Sequence, residues 1–209
     1  KRPVVVGLGE ILWDVFPEGK QLGGAPLNFS HHCAQLGAEA YPVSAVGADA
    51  DGEEIREILA AKNLPDQHVQ SDPANPTGRV NVTLQNGKPT YEILAEVAWD
   101  YIRFDQKLRD LASRADAVCF GSLAQRSPVS RATIQAFLEA MRPEALRIFD
   151  VNLRQSFYSK EILETSLRHA NIFKLSDEEL PTLAVFFDLS GQVLEQLQAL
   201  RQMFDLRLV

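Results

Sequence analysis

The strongest constraint in this sequence is a rhythm of short, almost wholly apolar runs, each followed by a stretch of helical periodicity. Val4-Val5-Val6-Gly7-Leu8-Gly9 opens it. A run without polar alternation is how a strand covered on both faces of a parallel sheet reads. Further strands are predicted over Tyr41 to Val46, Ala117 to Gly121, Leu146 to Asp150 and Asn171 to Leu175. Helices are predicted over Gly24 to Leu36, with Pro26 in the first turn and Gly37 as the stop, and over Asp51 to Lys62. Others follow over Phe104 to Ala112, Pro128 to Met141, a stretch through Leu167 and His169, Asp177 to Phe186, and Gly191 to Met203. Such alternation specifies an α/β fold, a doubly wound and mainly parallel sheet.

One segment breaks the rhythm. Arg79-Val80-Asn81-Val82-Thr83-Leu84-Gln85 alternates strictly, as a half-exposed antiparallel strand does. Asn86-Gly87 is a strong hairpin signal, and Pro89 to Ala95 supplies the return strand. Ile11 to Phe16 and Lys20 to Leu22 are candidates to join this ribbon in a small separate sheet. Leu206 to Val209 reads as the beginning of a strand, so the chain is expected to stop inside an element.

Composition narrows the function classes. With 209 residues, 45% of them hydrophobic, the chain suits one α/β domain with a sizeable core. A net charge of −7 gives no basic footprint for nucleic acid or an anionic membrane surface. No apolar run approaches the length of a membrane span. Cys33 and Cys119 stand far apart, in apolar surroundings and without metal-ligand spacing, so reduced core thiols in a cytoplasmic protein are expected. His31, His32, His68 and His169 show no ligand spacing with a cysteine or with one another.

In a doubly wound fold, ligands sit at the carboxyl ends of the strands. Asp14, between Trp13 and Val15-Phe16, could accept two hydrogen bonds from vicinal sugar hydroxyls. On spacing alone, a solvated turn aspartate is the simpler account. Gly23 and Gly24 open a helix, where backbone amides point outward and a ligand can approach closely. Asn28 follows one turn later with a donor and an acceptor that suit a polyol. A flexible capped turn explains this segment equally well. Gly7-x-Gly9 lacks the third glycine of a dinucleotide loop, Leu12 standing in its place. Gly47-Ala48-Asp49-Ala50-Asp51-Gly52 reads as a tight turn with Asp51 capping the helix. Asp150, Asn152 and Arg154 alternate directly after a buried strand and could face one cleft. Lys174-Leu175-Ser176-Asp177-Glu178-Glu179 carries a capping box from Ser176 to Glu179. Glu179 could also hold, through water, a Mg2+ bound to nucleotide phosphates.

In order, Gly9-Glu10-x-x-x-Asp14, Gly23-Gly24-x-x-x-Asn28, Val46-Gly47-x-Asp49-x-x-Gly52, Thr77-Gly78, Asp150-x-Asn152-x-Arg154 and Ser176-x-x-Glu179 resemble the PfkB, or ribokinase-like, carbohydrate kinases. The wording of the first and last segments is most similar to bacterial fructokinases. The resemblance covers the N-terminal portion of the family's domain and implies a ribokinase-like fold whose C-terminal part is absent. It implies a small β-sheet lid from about 11–22 and 77–101, able to pack against a second subunit's lid in a homodimer.

The activity implied is ATP-dependent phosphorylation of a sugar hydroxyl, most simply fructose to fructose 6-phosphate. Asp14, Gly23, Gly24 and Asn28 would hold sugar hydroxyls, and Asp150, Asn152 and Arg154 would line the cleft. Lys174, Ser176 and Glu179 would lie near the triphosphate and its Mg2+. The family commonly has Asn where this chain has Ser176. The family's aspartate base lies in a Gly-Ala-Gly-Asp motif that is missing here, so it is expected beyond Val209. These 209 residues alone are expected to be inactive. The alternative is a non-catalytic sugar-binding protein.

Overall fold

A computed structural model describes residues 1–85 and 88–209, so the Asn86-Gly87 turn lies outside the described residues. The main sheet has six strands, all paired in parallel: β1 (Val4–Leu8), β4 (Glu39–Gly47), β5 (Val69–Asp72), β8 (Ala117–Phe120), β9 (Leu146–Asp150) and β10 (Ile172–Lys174). Their order is β10-β9-β8-β1-β4-β5. β1 is flanked by the two halves of the winding, so its carboxyl end is the switch point where such folds open a crevice. β1 and β8 are buried throughout, as their unbroken apolar sequences require. Phe120, Phe149 and Phe173 stack across β8, β9 and β10, with successive ring centroids 5.2 and 5.6 Å apart.

β5 was not legible in the sequence. Val69-Gln70-Ser71-Asp72 carries one large apolar residue, too little for a periodic signal, and pairing with β4 creates the strand. The segment after β9 also departs from expectation. A loop runs from residue 151 to Ser159, and the helix α5 occupies only Lys160–His169. At the far end Arg207 N donates to Asn171 O at 2.8 Å, and Leu208 forms a parallel bridge with Ile172 beside β10.

A second sheet has four strands in the order β3-β2-β6-β7: β2 (Leu12–Phe16), β3 (Gly19–Gly23), β6 (Gly78–Gln85) and β7 (Lys88–Ile93). β6 and β7 pair antiparallel, but β2 and β6 run parallel. The stretch after β7 leaves this sheet. A short helical turn over Ala98–Tyr101 buries Ala98 and Trp99 completely in the main core.

Acidic side chains fasten the second sheet to the main body. Helix α2 (Ala50–Ala61) is capped by Asp49, not by Asp51 as the sequence suggested. Asp49 accepts from Gly52 N at 2.9 Å, Thr77 N at 2.8 Å and Thr77 Oγ1 at 2.6 Å. It therefore ties the helix to the entry of β6. Asp51 faces the sheet instead, pairing with Lys20 at 2.7 Å and Arg79 at 2.6 Å. Its backbone carbonyl accepts from the Trp13 indole at 3.2 Å. At the other side Arg126 pairs with buried Asp100 at 2.8 Å and donates to Leu94 O at 2.6 Å. Its guanidinium lies 4.0 Å from the Trp99 ring centroid and 4.7 Å from that of Phe157.

Candidate active site

The carboxyl end of β1 continues as Gly9-Glu10 before the chain turns into β2, where Asp14 pairs in register with Gln21 of β3. The Asp14 carboxylate rests against Gly23, where a Cβ would collide with its Oδ2. Gly24 caps helix α1 (Ala25–Gln35) at φ 118°, and a Cβ there would meet the Glu10 carbonyl. Only glycine fits both demands. Asn28 sits in the first turn of α1, its backbone amide bonded to Gly24 O at 3.0 Å, with its side chain exposed. Neither Asp14 nor Asn28 makes a side-chain hydrogen bond to any described residue, so both keep their full capacity for a ligand.

The loop after β9 brings a second set of polar groups to the same edge of the main sheet. Asp150 closes the strand and faces Lys174 of β10, the Nζ lying 3.0 Å from Oδ1. Ser122 Oγ fixes the next turn by donating to Val151 O at 2.6 Å. Asn152 takes a left-handed backbone at φ 40° and Gln155 does so at φ 48°. Gln155 Nε2 then reaches Tyr91 O of β7 at 2.6 Å, joining this loop to the second sheet. The Arg154 guanidinium is exposed, and its sole bond among the described residues is to Leu153 O at 3.2 Å.

Ser176 and Glu179 form the reciprocal cap expected of them. Glu179 Oε2 accepts from Ser176 N at 2.7 Å, and Glu179 N donates to Ser176 Oγ at 3.3 Å. Glu179 Oε1 also accepts from Leu153 N at 2.8 Å, so one carboxylate holds two loops together. Helix α6 begins only afterwards, over Leu180–Phe187. A cleft of about 250 Å3 opens between these loops, lined by Arg154, Gln155, Tyr158, Ser176, Glu179 and Thr182 among others. Among the described residues no cluster of three or more His, Cys, Asp or Glu side chains could hold a metal ion. Glu179, with each oxygen already bonded to an amide, fits a water-mediated role at most.

Around the carboxyl end of β1, buried charge is poorly compensated. Burial raises the Asp14 carboxyl, and Arg154 opposes that shift. Glu10 is 2% exposed, and burial pushes its carboxyl up to about 7. The amides of Glu10 and Ala25 and the charge of Arg154 pull it down, while Asp150 pushes it up. Cys119 is raised to about 12, chiefly by burial and then by Asp150 and Glu10. The sequence places Glu10 in the first motif but gives it no role, although it lies two residues past a buried strand. Arg126 and Gln155 gave no local signal, because their partners are distant in sequence.

The match to the pfkB family of carbohydrate kinases runs over residues 12–209. The chain belongs to this family. Its sequence is 31% identical over 196 residues to a fructokinase of Salmonella typhimurium, covering 88% of this chain and 63% of that protein. An uncharacterized sugar kinase from Pyrococcus horikoshii superposes with a TM-score of 0.77 at 28% identity, over 88% of this chain and 66% of that one. That protein has also been crystallised with ATP. A fructokinase from Xylella fastidiosa with bound ATP shares the fold at 20% identity, with a TM-score of 0.84 over 98% of this chain and 66% of its own. This pfkB chain therefore spans somewhat less than two thirds of the length of each of these three relatives. Among its described residues no helix is long and apolar enough to cross a membrane.

Proposed function

We propose that this pfkB chain forms the sugar cleft and part of the phosphate path of an ATP-dependent sugar kinase that converts fructose to fructose 6-phosphate. The observation that carries the reading is the set of uncommitted polar side chains at the switch point: Asp14, Asn28, Asn152 and Arg154. Asp14 and Asn152 are half-buried, where polar groups are ordinarily paired, and left free at strand ends they are fitted for a ligand. Asp14 and Asn28 would grip sugar hydroxyls, with Gly23 and Gly24 giving the sugar access to the helix N-terminus. Asp150, Asn152 and Arg154 would face the hydroxyl that receives the phosphoryl group.

Ser176 and Glu179 border the cleft assigned to the triphosphate, and Lys174 would reach it from the end of β10, with Mg2+ carried on the nucleotide and Glu179 acting through water. Phosphoryl transfer depends on positioning and charge stabilisation, and bound Mg2+ supplies part of the latter. The second sheet would act as a lid excluding water, and could pair with a second copy's lid. A cytoplasmic setting suits the free thiols of Cys33 and Cys119. The sequence carries no Gly-Ala-Gly-Asp run, so we assign no base within it and expect no turnover from these residues alone. The same free side chains would also serve a sugar-binding protein without catalysis, which is the second reading.

Calorimetric titration of the chain with a panel of sugars tests the proposal. Fructose should bind without ADP release. A coupled ADP-release assay on a protein that carries this chain together with the Gly-Ala-Gly-Asp segment should give turnover. Binding without turnover there would favour the second reading. No heat with any ketose or aldose, from a folded sample, would remove both.

A further inference from the structure

The second sheet is fastened through Asp49 and Asp51 beside β6 and through Arg126 just past β7. β7 itself is the outer strand, and the outward backbone groups of such a strand are left for other partners. Gln155, in the loop after β9, takes one of them: its Nε2 donates to Tyr91 O at 2.6 Å. The same side chain lines the cleft of about 250 Å3 beside Arg154, Ser176 and Glu179. One amide thus stands between the outer strand of the second sheet and the cleft.

The loop holds that amide in place. Gln155 is left-handed at φ 48°, a conformation that a glutamine keeps only where its surroundings fix it. Glu179 fixes the chain two residues earlier, accepting from Leu153 N at 2.8 Å. Phe157 N donates to Arg154 O at 3.0 Å, and the Phe157 ring lies against the Arg126 guanidinium. The loop therefore meets β7 and its exit twice, through the buried Arg126 and through the exposed Gln155. An exposed hydrogen bond competes with water, so this second contact can be made and broken.

We propose that Gln155 is a positioning residue, a latch that couples the lid to the cleft: an anionic group bound beside Arg154 steadies the loop, Gln155 keeps hold of Tyr91 O, and the lid stays closed over the sugar. This rests on the sugar-kinase reading, which puts the sugar under the second sheet and the triphosphate in the cleft. Arg154 adjoins Gln155, and its guanidinium is exposed with a single bond, to Leu153 O, among the described residues. An anion taken up there acts on the loop at the next residue. The coupling is reciprocal, so a sugar that closes the lid tightens the anion by the same factor.

Gln155→Gly is the sharpest test. It deletes the amide and relieves the left-handed backbone, which glycine adopts freely, so the urea midpoint should stay near that of the wild type. Without ligand, hydrogen exchange should quicken several-fold in β7 and in the loop after β9 together, and not in β1 or β4. Fructose and inorganic tripolyphosphate are then titrated by calorimetry, singly and together. In the wild type each should tighten the other roughly five-fold or more, and in Gln155→Gly that factor should vanish. A residue that only supports the fold would lower the midpoint and leave the factor unchanged. Gln155→Glu keeps the size of the side chain but loses the donor; it should behave alike, and it decides the matter if the glycine variant does not fold.

Unchanged exchange in the variant overturns the latch. Faster exchange with an undiminished factor overturns its link to the cleft. A wild type that binds fructose and tripolyphosphate independently overturns the proposal and leaves the kinase reading standing. A wild type that binds fructose but no tripolyphosphate removes the phosphate assignment, and the coupling with it. A folded wild type that binds neither overturns the kinase reading as well.

Discussion

The base of the second sheet and the carboxyl end of β1 are both built around carboxylates, and they treat them in opposite ways. At the base, burial raises the Asp49 carboxyl, but bonds from Thr77 and Gly52 outweigh it and hold the group below its usual range. Asp51 is likewise pushed up by burial and brought down further by Lys20 and Arg79. At the carboxyl end of β1, burial acts on Glu10 and Asp14 without enough compensation, and both are raised. Saturated acids fix geometry, while unsaturated ones store the capacity to bind. The first region should therefore fail as a fold, the second as a site.

The sharpest way to break this contrast is Arg126→Ala. It leaves Asp100, whose side chain is 6% exposed, buried beside Trp99 without its partner. A loss of about 3–5 kcal/mol is expected in urea denaturation, in line with breaking a buried pair. A loss under about 1 kcal/mol would show that water replaces the guanidinium. Asp14→Ala should do the reverse. It should weaken fructose binding by roughly 2–4 kcal/mol while leaving the urea midpoint unchanged or slightly raised. An unchanged affinity would remove Asp14 from the sugar site.

Asp49→Ala removes a helix cap and two bonds to Thr77, so about 2 kcal/mol of stability should go. In the wild type the contribution of Asp49 and Asp51 is fully present above their unfolded value of 3.8 and is lost as pH falls through their lower folded values. The acid limb of an unfolding curve should therefore flatten in Asp49→Ala. Lys20→Met is the smallest test. Lys20 is partly exposed, so its pairs with Asp51 and Glu54 should be worth under about 1 kcal/mol. Its contact over Trp13, 4.1 Å from the ring centroid, is partly kept by the methionine stem. A loss above about 2 kcal/mol would place the clamp's strength in Lys20 rather than in the hydrogen bonds around Asp49.

The main strands and helices were legible wherever a pattern was local. Val4–Leu8 and Ala117–Phe120 are buried on both faces, and their composition says so. The cap pairing Ser176 with Glu179 spans three residues and was equally readable. The tight turn before α2 points to Asp51 as the cap when only its own residues are considered. Asp49 holds that place because Thr77, distant in the chain, supplies two further donors. β5 and the parallel union of β2 with β6 were invisible for the same reason, since a strand that exists through its partner leaves little mark of its own.

The sequence by itself determined the α/β alternation, the inserted ribbon and the segments that could carry chemistry, because apolar period and turn chemistry act over a few residues. Tertiary structure alone decided which acids are spent and which are free. Asp51, Asp49 and Asp100 meet cations and donors from distant segments, while Glu10 and Asp14 are raised by burial. A carboxylate's charge state depends on its burial and on the partners that folding delivers, and neither is a property of its neighbours along the chain.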